Sequence, residues 1–198
     1  MQLAPQKRKI MLGFLFKTKA PTHMPANEDP PRSDLAFVRQ AKDADYTDVE
    51  ALADQLGIEI RRPSFSTEIA GCLTCLGGKW SIGVNPTADK NRQRFTIAHE
   101  IAHYLLHRDL ILKNGEMSGV YDSNKYRQPM VALLNPYIEI KHEQQANRIA
   151  ADILMCGDKM RRLSASGMSI FQIADHIGCS VGATKVRLGM LELPLDGR

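Results

Sequence analysis

The pentapeptide His99-Glu100-Ile101-Ala102-His103 limits what this chain can become more than any other feature. Residues four apart on an α-helix differ by only about 40° around its axis, so a helix projects both imidazoles from one face, one turn apart. The flanking residues predict that helix: apolar positions fall at 95, 98, 101, 102, 105 and 106, the spacing of one buried face. Two imidazoles so placed can hold one zinc ion, and Glu100 beside them can reach a water held there. H-E-x-x-H carries this chemistry, two zinc ligands and a general base. His-Glu pairs also occur on solvated helix faces. Here the other positions are apolar and the histidines border the buried side, where imidazoles and carboxylates need partners.

A catalytic zinc needs a third protein ligand and one open position. His107 shares the face but lies about 12 Å along the axis from His99, too far to share an ion. The longer pattern that continues with Gly and His would need them at positions that here hold Leu106 and Asp109. The third ligand is therefore expected from another helix. Asn135-Pro136 reads as a helix start, a capping Asn followed by Pro, and the helix should run to about Cys156 and stop at Gly157. On its wheel Glu143, Ala146, Ala150 and Leu154 share one side with Ile149 and Ile153. Periodicity favours Glu143 on this stripe of small residues and leaves Glu139 and His142, at its borders, open.

Two blocks now stand out. Asn91-Arg92-Gln93-Arg94-Phe95-Thr96-Ile97-Ala98-His99-Glu100-Ile101-Ala102-His103-Tyr104-Leu105-Leu106-His107 resembles the signature segment of the ImmA/IrrE family of metallopeptidases. Glu143-Gln144-Gln145-Ala146-Asn147-Arg148-Ile149-Ala150-Ala151-Asp152-Ile153-Leu154-Met155 resembles that family's E-x-E-A-N-x-F-A-x-x-L-L-M. The resemblance covers about residues 45 to 190. It implies an α+β, zincin-like fold of the compact gluzincin type, with a small β-sheet and a C-terminal helical pair. Carried over by position, His99, His103 and Glu143 would be the zinc ligands and Glu100 the base. Asn147, one turn after Glu143, would orient a ligand. Gln145 stands where the family often has Glu, which favours the first Glu of the motif as ligand. Ile149 replaces a common Phe, a change of packing only.

The rest of the chain frames this site. Residues 1–33, with Pro21, Pro25, Pro30 and Pro31, read as a flexible arm. Its Lys7-Arg8-Lys9 and following apolar run imitate a targeting signal, but Lys17 and Lys19 cut the run short. A helix is expected from Ser33-Asp34. A second follows a capping box at Thr47-Asp48-Val49-Glu50 and carries Val49, Leu52 and Leu56 to a stop at Gly57. Ile58 to Arg62 reads as a strand, and Glu68 to Val84 as a hairpin turning at Gly77-Gly78. Residues 34–157 would form the peptidase domain and 158–198 a helical segment of two short helices. By resemblance to zincins, the strand Trp80, Ile82, Val84 would lie at the sheet edge, where free N–H and C=O groups can pair with extended substrate.

Composition narrows the function classes. The chain has 198 residues, 43% hydrophobic and 24% charged, which suits one globular unit and excludes a disordered polyelectrolyte. Its net charge of +4 does not argue for nucleic acid. No stretch approaches the roughly 18 apolar residues of a membrane span. The four cysteines are scattered, which suits a reducing, cytoplasmic compartment, and Cys72 and Cys75 lack the second C-x-x-C of a zinc knuckle. Ile173 to Leu188 resembles a helix-turn-helix, with Lys185 and Arg187 as its outward basic residues. So sparse a basic footprint favours packing against the body over DNA binding.

The expected chemistry is zinc-dependent hydrolysis of a peptide bond in a protein. Zinc brings the pKa of a water toward about 7, and Glu100 takes its proton and passes it to the leaving amine. Tyr121, Tyr126 and His107 are candidates to assist the developing oxyanion. The family implies a helix-turn-helix transcriptional repressor as substrate. The rival readings are a non-proteolytic regulator or toxin–antitoxin component that uses the zinc fold to bind a partner, and DNA binding through the C-terminal helices.

Overall fold

The computed structural model describes residues 32–65, 69–113, 118–123 and 135–195. Most of the arm expected at 1–33 lies outside them. Two helices come first, α1 (Arg32–Asp43) and α2 (Val49–Gln55), followed by strand β1 (Glu59–Arg61). The hairpin β2 (Ile69–Leu76) and β3 (Lys79–Val84) leads into the long helix α3 (Lys90–Leu112), strand β4 (Ser118–Ser123) and helix α4 (Ile140–Leu154). Three helices close the chain: α5 (Gly157–Ala165), α6 (Ile170–Ile177) and α7 (Val181–Met190). The fold is α+β, as expected, but the tail holds three helices where two were expected.

The hairpin forms where the glycines predict it. Gly77 and Gly78 have φ of +57° and +77°, the left-handed pair that a two-residue turn matched to strand twist requires. The sheet order is β1-β3-β2-β4, with β3 antiparallel to β2 and parallel to β1. This overturns one expectation. The strand of Trp80, Ile82 and Val84 is not at an edge, because β1 pairs along the middle of β3 through Glu59–Ser81, Ile60–Ile82 and Arg61–Gly83, with Trp80 and Val84 flanking that register. Ile82 and Val84 are fully buried, and Trp80 packs edge-on against Tyr104 at 5.3 Å. Among the described strands the edges are β1 and β4. Parallel pairing of a three-residue strand with one twenty residues later leaves no local signature.

Helix α3 packs against the sheet and against α4. Every residue from Thr96 to His103 is buried, so burial runs around the whole helix and not along the one face that periodicity suggested. Leu106, placed on that face, is 47% exposed. Close approach to the sheet depends on Gly71. A Cβ there would sit 2.7 Å from the Gly83 carbonyl oxygen and closer still to Thr96 Cγ2, one turn before His99. Gly71→Ala is expected to cost about 1–3 kcal/mol, as overpacking does. Chemical denaturation checks this; an unchanged midpoint would show that α3 does not need the contact.

The caps differ from expectation in two places. Helix α2 is capped by Asp48, whose carboxylate accepts from the N–H groups of Glu50 and Ala51, and not by Thr47. Thr47 is buried, and its hydroxyl meets the Ile153 carbonyl at 3.0 Å and the Lys159 ammonium at 2.7 Å. That buried lysine ties α5 to the start of α2, and burial pushes its pKa down. Asn135-Pro136 opens a turn, in which Asn135 Oδ1 accepts from the Tyr137 N–H, and the helix itself begins at Ile140.

The tail is fastened to the body by arginines. Arg94 of α3 donates to the carbonyls of Thr47, Ile177 and Gly178 and lies 4.0 Å above the Tyr46 ring. Arg187 of α7 donates to the Met155 carbonyl at the end of α4 and pairs with Asp152, which also meets Lys42 of α1. Arg187 therefore faces inward, contrary to its expected outward position. Lys185 is left as the exposed basic residue of the expected pair.

Candidate metal centre

The site forms where α3 and α4 touch. Helix α3 is capped by Asp89, whose carboxylate accepts from the Arg92 N–H at 2.9 Å. From that start His99 and His103 stand one turn apart, facing α4. On α4, Ala146 and Ala150 are both fully buried. Side chains this small let the helix backbones come close, which brings Glu143, one turn earlier on the same stripe, to the histidines.

The result is a convergence of three ligand atoms. His99 Nε2 lies 3.2 Å from one Glu143 oxygen, His103 Nε2 lies 3.3 Å from the other, and the two Nε2 atoms are 3.1 Å apart. Donors arranged tetrahedrally about a zinc ion stand about 3.3 Å from one another. The spacing therefore fits one ion. Among the described residues, these three form the cluster with metal-ligand geometry, all ligand atoms within 4.8 Å.

Electrostatics agree with the geometry. Burial pushes the His103 pKa down to about 4, so its imidazole is neutral near pH 7. Burial would raise the Glu143 pKa, but the His103 and His99 rings set against its carboxylate outweigh burial and hold it at about 2. A neutral imidazole and an ionised carboxylate are the forms that bind a divalent cation. Asn147 Oδ1 lies 3.1 Å from His99 Nδ1. A carbonyl oxygen only accepts, so His99 Nδ1 is the donor to Asn147, and its Nε2 is the nitrogen turned to the cluster.

The alternatives for the third ligand separate clearly. Glu139 is exposed at the start of α4 and pairs with Lys141 at 3.1 Å. The His142 Nδ1 accepts from the Glu139 N–H at 2.9 Å. Neither joins the cluster. Glu100 is fully buried, next to His99 and near β2. Its charge adds to burial in pushing the Cys72 thiol up to about 12. The cysteines Cys72, Cys75, Cys156 and Cys179 are all buried free thiols.

Of the oxyanion candidates, Tyr126 lies outside the described residues and Tyr121 falls on β4. His107 has other partners: its Nδ1 lies 3.1 Å from His103 Nδ1 and its Nε2 lies 3.0 Å from Gln145 Oε1. Beyond this pair a cleft of about 390 Å³ opens between the helices, walled by Leu106, Leu110, His142 and Ile149. The link between His107 and Gln145 was missed in the sequence. Its one local sign is the i, i+4, i+8 run of histidines at 99, 103 and 107.

Comparison with known proteins places these elements. A search of curated proteins returned no match. The family model for peptidase M78, described as the IrrE N-terminal-like domain, matches residues 53–189. That span holds the sheet, both helices of the metal cluster and nearly all of the C-terminal helices. The chain therefore belongs to the M78 peptidase family, whose matched region contains His99, Glu100, His103 and Glu143.

Proposed function

We propose that this protein is a zinc-dependent endopeptidase, with His99, His103 and Glu143 as the metal ligands and Glu100 as the general base. The observation that carries the reading is the meeting of two imidazole nitrogens and a carboxylate within 4.8 Å, in a chain of a peptidase family. Zinc at this position would supply Lewis acidity, activating water and polarising a carbonyl. The protein's own residues do the rest. Glu100 accepts the proton of the attacking water and delivers it to the leaving amine. Asn147 holds His99 in the tautomer that binds metal, through the 3.1 Å contact to its Nδ1. Among the described strands, β1 and β4 are the edges with which extended substrate would pair.

The substrate we propose is a helix-turn-helix repressor, in keeping with the family resemblance, and the setting is the cytoplasm, which suits four buried free thiols. Nucleic acid is left out, which the inward engagement of Arg187 supports. No helix among the described residues is long and apolar enough to cross a membrane.

The test begins with protein purified without chelators. We expect one zinc per chain by elemental analysis, and chelator-sensitive cleavage of a repressor encoded beside the gene, read by mass spectrometry. Protein that carries no metal and takes none up would remove the enzymatic reading. Stoichiometric zinc with the repressor left intact would favour a regulator that binds its partner without cutting it.

A further inference from the structure

His107 and Gln145 have no place in the ligand set, yet they are joined to it by hydrogen bonds. Gln145 Oε1 lies 3.0 Å from His107 Nε2, and His107 Nδ1 lies 3.1 Å from His103 Nδ1. Proton counting along this line has one solution that suits a metal. A carbonyl oxygen accepts, so His107 Nε2 carries the hydrogen. A neutral imidazole has one N–H, so His107 Nδ1 is left as an acceptor. It can then be paired only if His103 Nδ1 donates. The His103 proton is thereby fixed on Nδ1, and its bare Nε2 faces Glu143 and His99. The opposite setting, with His107 Nδ1 donating, would put the His103 proton on Nε2, aimed at the position of the ion.

We propose that His107 and Gln145 are positioning residues that set the tautomer of His103, as Asn147 sets that of His99. The inference rests on the reading of His99, His103 and Glu143 as metal ligands. Each ligand histidine is then held at Nδ1 by an acceptor, one reached directly on α4 and one through a second imidazole. The His107 ring is almost fully buried, at 3% exposure, which shields the His103–His107 bond from competing water. Both arms end on α4, two and four residues after Glu143. The helix that delivers the carboxylate therefore also fixes the two rings.

The full chain tests this with two readouts. In metal-free wild type labelled with ¹⁵N, ring correlations should place the His103 proton on Nδ1. A His103 proton on Nε2 would overturn the proposal. Because that spectrum needs no metal, a wild type that fails to bind zinc would sink the ligand reading and still leave the tautomer measured. Zinc affinity by chelator competition is the second readout. His107→Leu should weaken binding about 10–100-fold, the usual effect of removing a group that orients a ligand. His107→Gln keeps an acceptor for the His103 N–H and should recover most of that loss. Equal affinity in His107→Leu and wild type, or equal loss in both His107 variants, would refute the positioning role. Should His107→Leu misfold, Gln145→Leu, at an exposed position, takes its place and should weaken zinc and shift the His103 tautomer balance; no change in either would count against the relay.

Discussion

Glu100→Gln should lower the rate of peptide hydrolysis by about 10²–10⁴-fold, the range that a positioned general base contributes, while zinc content stays at the wild-type level. The substitution keeps size and hydrogen-bonding ability and removes the basic oxygen. Glu100 is fully buried and outside the ligand cluster, so an isosteric change there leaves His99, His103 and Glu143 where they are. Rates should be compared at matched metal occupancy. Loss of zinc together with activity would make Glu100 a structural support of the ligands. Retention of most of the activity would move the base to another residue.

Removal of Glu143 acts one step earlier. Glu143→Ala should weaken zinc binding by more than about 100-fold, beyond the loss expected for a residue that merely orients a ligand. The variant loses one of three donor groups and the negative charge that the two imidazoles surround at 3.2 and 3.3 Å. Glu139→Ala is the matched control: its carboxylate lies at the exposed start of the same helix, paired with Lys141. Thermal shift gives an independent reading. A ligand that binds only the folded state raises stability as RT ln(1 + [L]/Kd), so zinc should raise the Tm of wild type and of Glu139→Ala but not of Glu143→Ala. Zinc bound normally by Glu143→Ala and lost from Glu139→Ala would reassign the third ligand.

The ligand on α4 could be read from periodicity even though the start of its helix could not. Asn135-Pro136 has the chemistry of a cap, but Asn135 uses its side chain to close a turn, and the helix begins at Ile140. The spacing of Glu143, Ala146 and Ala150 is internal to the helix, so an error of several residues at its start left their shared face intact. The capping box at Thr47 failed for a different reason. Buried Lys159 and the Ile153 carbonyl claim the threonine hydroxyl, and adjacent Asp48 takes over the cap. Arg187 was expected to face outward, and nothing local to Arg94 or Arg187 marks the partners they reach. Their acceptors are carbonyls and a carboxylate more than 30 residues away in the chain.

What the sequence alone determined follows from short repeats: a helix that puts His99 and His103 on one face, a hairpin at Gly77-Gly78, and a stripe of small residues after Glu143. Each depends on spacing within one element, and backbone geometry sets that spacing. The tertiary structure alone decided that β1 covers β3, that α3 is buried all round from Thr96 to His103, and that His107 links His103 to Gln145. These are pairings between distant segments. Hydrogen bonds and burial between such segments are satisfied by whichever partner the packed fold brings near, and no local pattern names that partner in advance.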